Sequence, residues 1–302
     1  MRGRRVVCVT AACVVFLAGS VDSSLASEPL NVVVTIPVLK DFAERIGGPH
    51  VRVVSLLSGQ ENEHTYSPKP SDLVAVRRAK VVIQIGMGLE VWVGSLIKNA
   101  GPAGVPVVTT SEGVARIADH AAEPAAHGHN GGNPHIWLDP ENAQQMVRQI
   151  AQALSEADPA HAADYRANED RYLRELRALE TDLLRQLQPI TDRRIVVHHP
   201  AWPYFANRFG FQIVGEIVAQ SGAEPSARHL QALTKTIREA RVRVIVSEPQ
   251  LNQKLPRILA QESGARVVVL TAMPGGVPGT DSYLDMLRYN VTKLAEALES
   301  QN

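Results

Sequence analysis

From Leu30 onward the chain alternates short, β-branched apolar runs with amphipathic stretches. Apolar runs of roughly four to eight residues bounded by turn residues read as buried strands. By that measure residues 30–36, 51–57 and 80–85 predict strands, and 107–109 a fourth. The segments 38–46, 71–78, 86–100 and 141–157 predict helices between and after them, with Ser71 as the N-cap of the second. Past Pro189 the alternation resumes, with strands at 194–198, 211–217, 242–247 and 266–270 and helices at 204–208, 226–240, 255–263 and 282–298. Strands that are apolar throughout and separated by helices imply parallel sheets covered on both faces.

Between these halves lies "DPAHAADYRANEDRYLRELRALETDLLRQLQP", residues 158–189. Leu173, Leu176, Leu179, Leu183 and Leu187 recur at steps of three and four, which places them on one helical face. At about 1.5 Å per residue, some 28 residues would span roughly 40 Å. The stripe covers too few heptads for a coiled coil and reads as a rigid strut. The expected fold class is therefore α/β, with two lobes of parallel sheet covered by helices. They are N-terminal 27–157 and C-terminal 190–302, joined by a linking helix within 158–189. Ligands of open parallel sheets sit off the carboxyl ends of the strands, so the interlobe cleft is the place to look.

Residues 1–26 stand apart: Arg2, Arg4 and Arg5 precede an apolar run to Ala18, and Ser24-Leu25-Ala26 suits cleavage. This is the pattern of a secretory signal peptide. Removing it takes three of 31 basic residues and Asp22 of 31 acidic ones, leaving 28 and 30. That slight negative balance argues against nucleic acid as a partner. Cys8 and Cys13 leave with the signal, which excludes disulfides, thiolate ligands and thiol nucleophiles from the mature chain. Leu17-Ala18-Gly19-Ser20 has serine where a lipoprotein box carries its acylated cysteine, so a soluble periplasmic protein without a lipid anchor is expected. No later run approaches the ~20 apolar residues of a membrane-spanning helix.

Candidate chemistry lies in the loops. His64 follows the second strand in "GQENEHTYSPKPSD", and His135 precedes a helix in "NPHIWLDP". His198 and His199 end the strand "RRIVVHH", where alternation lets only one of them face a shared site, and the later is favoured. Asp281 stands before the last helix, where it suits either a ligand or a helix cap. Glu248 closes the strand "VRVIVSE" and could orient a histidine. Trp137 reads as core beside His135, with Asp139 either capping the next helix or orienting the imidazole. Three imidazoles and one carboxylate suit tetrahedral Zn²⁺.

In order, "HTYSPKPSD", "NPHIWLDP", "HPAWPYFANRFG" and "TDSYLDMLRYNVTKL" resemble the signatures of the zinc/manganese substrate-binding proteins of ABC importers. The resemblance covers nearly all of the mature chain. It implies two α/β lobes on one backbone helix, with the metal held between them by His64, His135, His199 and Asp281. Relatives specialised for manganese commonly carry glutamate where His199 stands, which favours zinc. The tract "DHAAEPAAHGHNGG", with His120, His127 and His129, resembles the auxiliary loop of zinc-specific members and equally suits a plain flexible insertion.

The expected function is thus an extracytoplasmic receptor, monomeric and not an enzyme, that delivers Zn²⁺ to an importer permease. A manganese receptor of the same family is the alternative. A zinc hydrolase would need an open coordination position and a base, and the chain has no HExxH helix. An adhesin or extracellular metal buffer would share the site.

Overall fold

The computed structural model describes residue 3 and residues 28–100, 104–117, 132–218 and 224–299. The expected signal segment, Gly3 apart, and the tract with His120, His127 and His129 lie outside the described residues.

Strands β1 (Leu30–Val34), β2 (Val51–Ser55), β3 (Val81–Gln84) and β4 (Val107–Thr109) form one parallel sheet in the order β2-β1-β3-β4. A second parallel sheet repeats that topology, β6-β5-β7-β8, from β5 (Arg194–Val197), β6 (Gln212–Glu216), β7 (Val244–Ser247) and β8 (Arg266–Val269). In each sheet the chain steps outward once, then crosses back to the other side of its first strand. The crevice left beside that strand is where α/β sheets hold ligands.

Helices α1 (Pro37–Gly47), α2 (Pro70–Arg78) and α3 (Val93–Ala100) connect the first four strands, and α4 (Pro140–Ala157) follows them. The second sheet is served likewise by α6 (Pro203–Phe209), α7 (Ala227–Glu239), α8 (Lys254–Ser263) and α9 (Tyr283–Glu299). Between them runs α5 (Ala162–Gln186), 25 residues and so about 37 Å long. It packs on α1 and α4 of the first lobe and on α9 of the second. All five leucines of its stripe are buried, at about 1.5–3 kcal/mol for each fully buried side chain. One continuous apolar cluster runs from the β1 valines through this stripe to α9, so the lobes share a core.

Two local expectations need correction. The helix expected from residue 86 begins only at Val93. Gly86, Met87 and Gly88 have φ of 86°, 55° and 79°, a left-handed run that cannot continue a right-handed helix. The buried Glu90 carboxylate pins this turn, accepting from Ile85 N at 2.8 Å, Gly86 N at 3.0 Å and Thr35 Oγ1 at 2.6 Å. Ser71 does not cap α2. Lys69 is its N-cap, Pro70 opens the helix with φ already set, and Asp72 Oδ2 accepts from Lys69 N at 2.7 Å.

Candidate metal centre

Two loops that leave the carboxyl ends of β2 and β5 converge between the lobes with the segment that precedes α4. The loop after β2 carries His64, whose backbone N–H donates to Asn62 Oδ1 at 2.9 Å. Trp92 Nε1 donates to the Glu63 carbonyl at 3.0 Å and anchors the same loop. His135 lies before a 3-10 turn, Ile136–Leu138, whose three side chains are fully buried. That turn is fixed from the other lobe: Trp137 Nε1 donates to the Ala272 carbonyl at 2.7 Å, and Tyr283 Oη donates to the Trp137 carbonyl at 2.6 Å. His199 leaves β5, the strand beside the crevice of the second sheet.

The rings of His64, His135 and His199 lie 5.2, 5.5 and 5.0 Å apart, centroid to centroid, and a donor atom from each falls within 4.8 Å of the others. His135 and His199 are buried, and only 9% of the His64 side chain is exposed. Among the described residues this is the one such convergence of potential metal ligands. His64 Nε2 and His135 Nε2 are 3.2 Å apart. Both nitrogens of His199 are buried without a hydrogen-bond partner. Leaving such a group unsatisfied costs roughly 1–3 kcal/mol, so the site is built for a partner that the protein does not supply.

The orientation of His135 can be read from its neighbour. Asn133 Oδ1 accepts from His135 N at 3.0 Å and also faces His135 Nδ1 at 3.0 Å. Nδ1 therefore carries the proton, and Nε2 offers its lone pair to the cluster. The 3.2 Å contact is then a hydrogen bond donated by His64 Nε2.

Register explains the surroundings of His199. Val197 pairs with Val246, so His198 and His199 continue alongside Ser247 and Glu248. His198 Nδ1 contacts Ser247 Oγ at 2.9 Å and stays out of the cluster. Its pKa is lowered, chiefly by burial. His199 Nδ1 is 3.4 Å from Glu248 Oε1. Burial disfavours the charged imidazolium there, but the carboxylates of Glu248, Glu63 and Glu216 outweigh it and the His199 pKa is raised. Glu248 is fully buried and held by Trp202 Nε1 at 3.1 Å and Gln250 Nε2 at 3.0 Å.

Asp281 is not brought to this group. It is exposed, and Ser282 does the capping, its hydroxyl accepting from Asp285 N at 3.2 Å. Besides Glu248, the carboxylate that lies at the site is Glu63, 2% exposed, with Oε1 3.5 Å from His135 Nε2 and 3.8 Å from His64 Nε2. That oxygen has no hydrogen-bond partner. Sequence reasoning missed it because Glu61 and Glu63 both flank His64 in an aperiodic loop, where nothing marks which one turns inward. Asp139 accepts from Glu141 N at 2.8 Å and caps α4, leaving the orienting of His135 to Asn133.

A family model described as zinc-uptake complex component A, periplasmic (ZnuA), matches residues 32–297. The high-affinity zinc uptake system protein ZnuA of Brucella abortus strain 2308 is 30% identical over 320 residues, covering 94% of this chain and 96% of its own. The manganese-binding lipoprotein MntA of Halalkalibacterium halodurans is 29% identical over 286 residues, covering 93% and 92%. A solved structure of a 138–173 deletion mutant of ZnuA with zinc bound is 31% identical, with a TM-score of 0.80 over 91% of this chain and 100% of that one. The duplicated sheet topology, the strut helix and these matches together mean that the chain belongs to the family of zinc-uptake component A, metal-binding receptors of ABC importers and not enzymes.

Proposed function

We propose that this receptor captures Zn²⁺ in the periplasm, free of a lipid anchor, and delivers it to the permease of its importer. The observation that carries the choice of ion is the donor set: three buried imidazoles, with buried Glu63 beside His135 and His64 and buried Glu248 beside the other nitrogen of His199. Two ligands at about 2.0–2.1 Å on a tetrahedral zinc stand roughly 3.3 Å apart. The 3.2 Å between His64 Nε2 and His135 Nε2 fits that spacing. Zinc inserted there replaces the proton that the two nitrogens share, so capture releases that proton or moves it to His64 Nδ1.

His64, His135 and His199 are the nitrogen ligands in this reading, and Glu63 takes the fourth position first expected of Asp281. Glu248 Oε1, 3.4 Å from His199 Nδ1, stands where a carboxylate can orient the ring through its other nitrogen once Nε2 ligates the ion. Manganese prefers more oxygen donors and higher coordination, whereas here both oxygens of Glu248 already accept from Trp202 and Gln250, which leaves Glu63 as the carboxylate for the ion. The name of the manganese-binding relative keeps that ion in the comparison. Metal analysis of the purified protein, followed by competition between zinc and manganese for the apoprotein, tests the choice. Zinc is expected to displace manganese; tighter binding of manganese overturns it.

A further inference from the structure

The Asn133 side chain makes contacts in both lobes. Its Oδ1 accepts from the backbone and the ring of His135, each at 3.0 Å. Its Nδ2 donates to the Pro200 carbonyl at 2.6 Å. Pro200 directly follows His199 in a tight turn closed by Ala201 N donating to the His199 carbonyl at 2.8 Å. The amide orientation is fixed from both ends, because a backbone N–H needs an acceptor and a carbonyl needs a donor. Only 1% of Asn133 is exposed, so water cannot replace either contact.

An asparagine whose only task was to turn the chain would need just its oxygen and the N–H two residues on. Here the same oxygen also selects the ring tautomer, and the nitrogen reaches the other lobe. We infer that Asn133 is the positioning residue of the metal centre: one amide sets the His135 tautomer and tethers the His199 turn to it across the cleft. Neither aspartate nor glutamine can serve. Aspartate has the acceptor but no donor for Pro200, and glutamine is one methylene too long for a buried gap spanned at 2.6 Å. The histidines from the two lobes thereby come to the ion already registered on each other, which reduces the ordering that metal capture must impose.

The inference rests on the zinc-centre reading, and the experiment separates the two. Zinc affinity is measured by competition with a chromophoric chelator for wild type, His135→Ala, Asn133→Ala and Asn133→Asp. Histidine ¹⁵N spectra of the apoproteins report the tautomer. Asn133→Ala is expected to lose affinity about 10–100-fold, as partners of metal-bound histidines typically do, and to lose the Nδ1–H signature of His135. Asn133→Asp retains an acceptor and keeps the test decisive if the alanine variant does not fold. It should keep the Nδ1–H signature yet release zinc faster, because its carboxylate faces the Pro200 carbonyl with no proton between them. Undiminished zinc binding by His135→Ala overturns the centre itself. With His135→Ala impaired, wild-type affinity and release in either folded Asn133 variant overturn the role of Asn133 alone.

Discussion

Arg208 Nε donates to Asp139 Oδ1 at 2.7 Å, joining α6 of the second lobe to the residue that caps α4 in the first. The same guanidinium reaches Asp139 Oδ2 at 3.1 Å, Glu180 on α5 at 3.1 Å, and Glu141. Only 7% of the Asp139 side chain is exposed, against 25% for Arg208. Both lobes and the strut thus meet at one cation, whose partner Asp139 stands four residues along the chain from His135.

Arg208→Met should therefore destabilise the protein by about 2–3 kcal/mol, because it strands a buried carboxylate. Partial exposure of Arg208 keeps the figure below that for a fully buried pair. Urea unfolding reads the change, and adding Asp139→Asn, which can still cap α4, should recover part of it. An unchanged midpoint in the single variant would show that solvent already screens the pair.

Glu63→Gln should weaken zinc binding and Asp281→Asn should leave it unchanged. The first removes a buried anionic oxygen 3.5 Å from a ligand nitrogen, and the second alters an exposed side chain outside the cluster. Titration of both variants checks this directly. Loss confined to Asp281→Asn would restore the assignment first expected from the sequence.

The paired histidines should separate just as sharply. His199→Ala is expected to reduce zinc affinity by orders of magnitude, while His198→Ala costs packing and the contact with Ser247. Parallel measurement of melting temperature and zinc affinity distinguishes them. A larger affinity loss in His198→Ala would mean that β5 presents the wrong member of the pair.

Stripping the metal should lower the melting temperature markedly, since ligands come from both lobes and the unfolded chain holds no such site. A native-state ligand at 1,000 times its dissociation constant adds about 4.1 kcal/mol. Calorimetry with and without a strong chelator measures the difference, and superimposable curves would count against an interlobe centre.

Acid should release zinc from a higher pH than an ordinary histidine site would allow. The His199 pKa is raised, because Glu248 and more distant carboxylates outweigh burial. Protons therefore begin to compete as pH falls through that raised value, and binding is favoured above it. In Glu248→Gln burial dominates instead, so the competition should move to lower pH, alongside some loss of affinity at high pH from the loosened ring. Affinity profiles between about pH 5 and 8 test the direction, which is the range in which histidine titrates. A midpoint unmoved by Glu248→Gln contradicts the assigned cause.

Much of the fold was legible because its elements follow local rules. The valines of β1, β3 and β5 and the leucines of α5 are periodic and apolar, and burial needs no more information than that. The helix expected from residue 86 failed where Met87 adopts a left-handed backbone, which its side chain does not announce. The turn there is held by Glu90 reaching back to Ile85, Gly86 and, 55 residues away, Thr35.

The centre divides in the same way. By itself the sequence determined that His64 and His199 stand just past strands and His135 before a helix, because strand period and turn residues are set within a few positions. Only the tertiary structure decided that Glu63 stands beside His64 and His135 while Asp281 is exposed, and that His199 and Glu248 lie side by side through the parallel register of β5 and β7. It also decided that Asn133 reaches Pro200 across 67 residues. Which polar side chain turns inward depends on what the opposing lobe leaves unsatisfied, and that is a property of two distant surfaces meeting, which no local pattern carries.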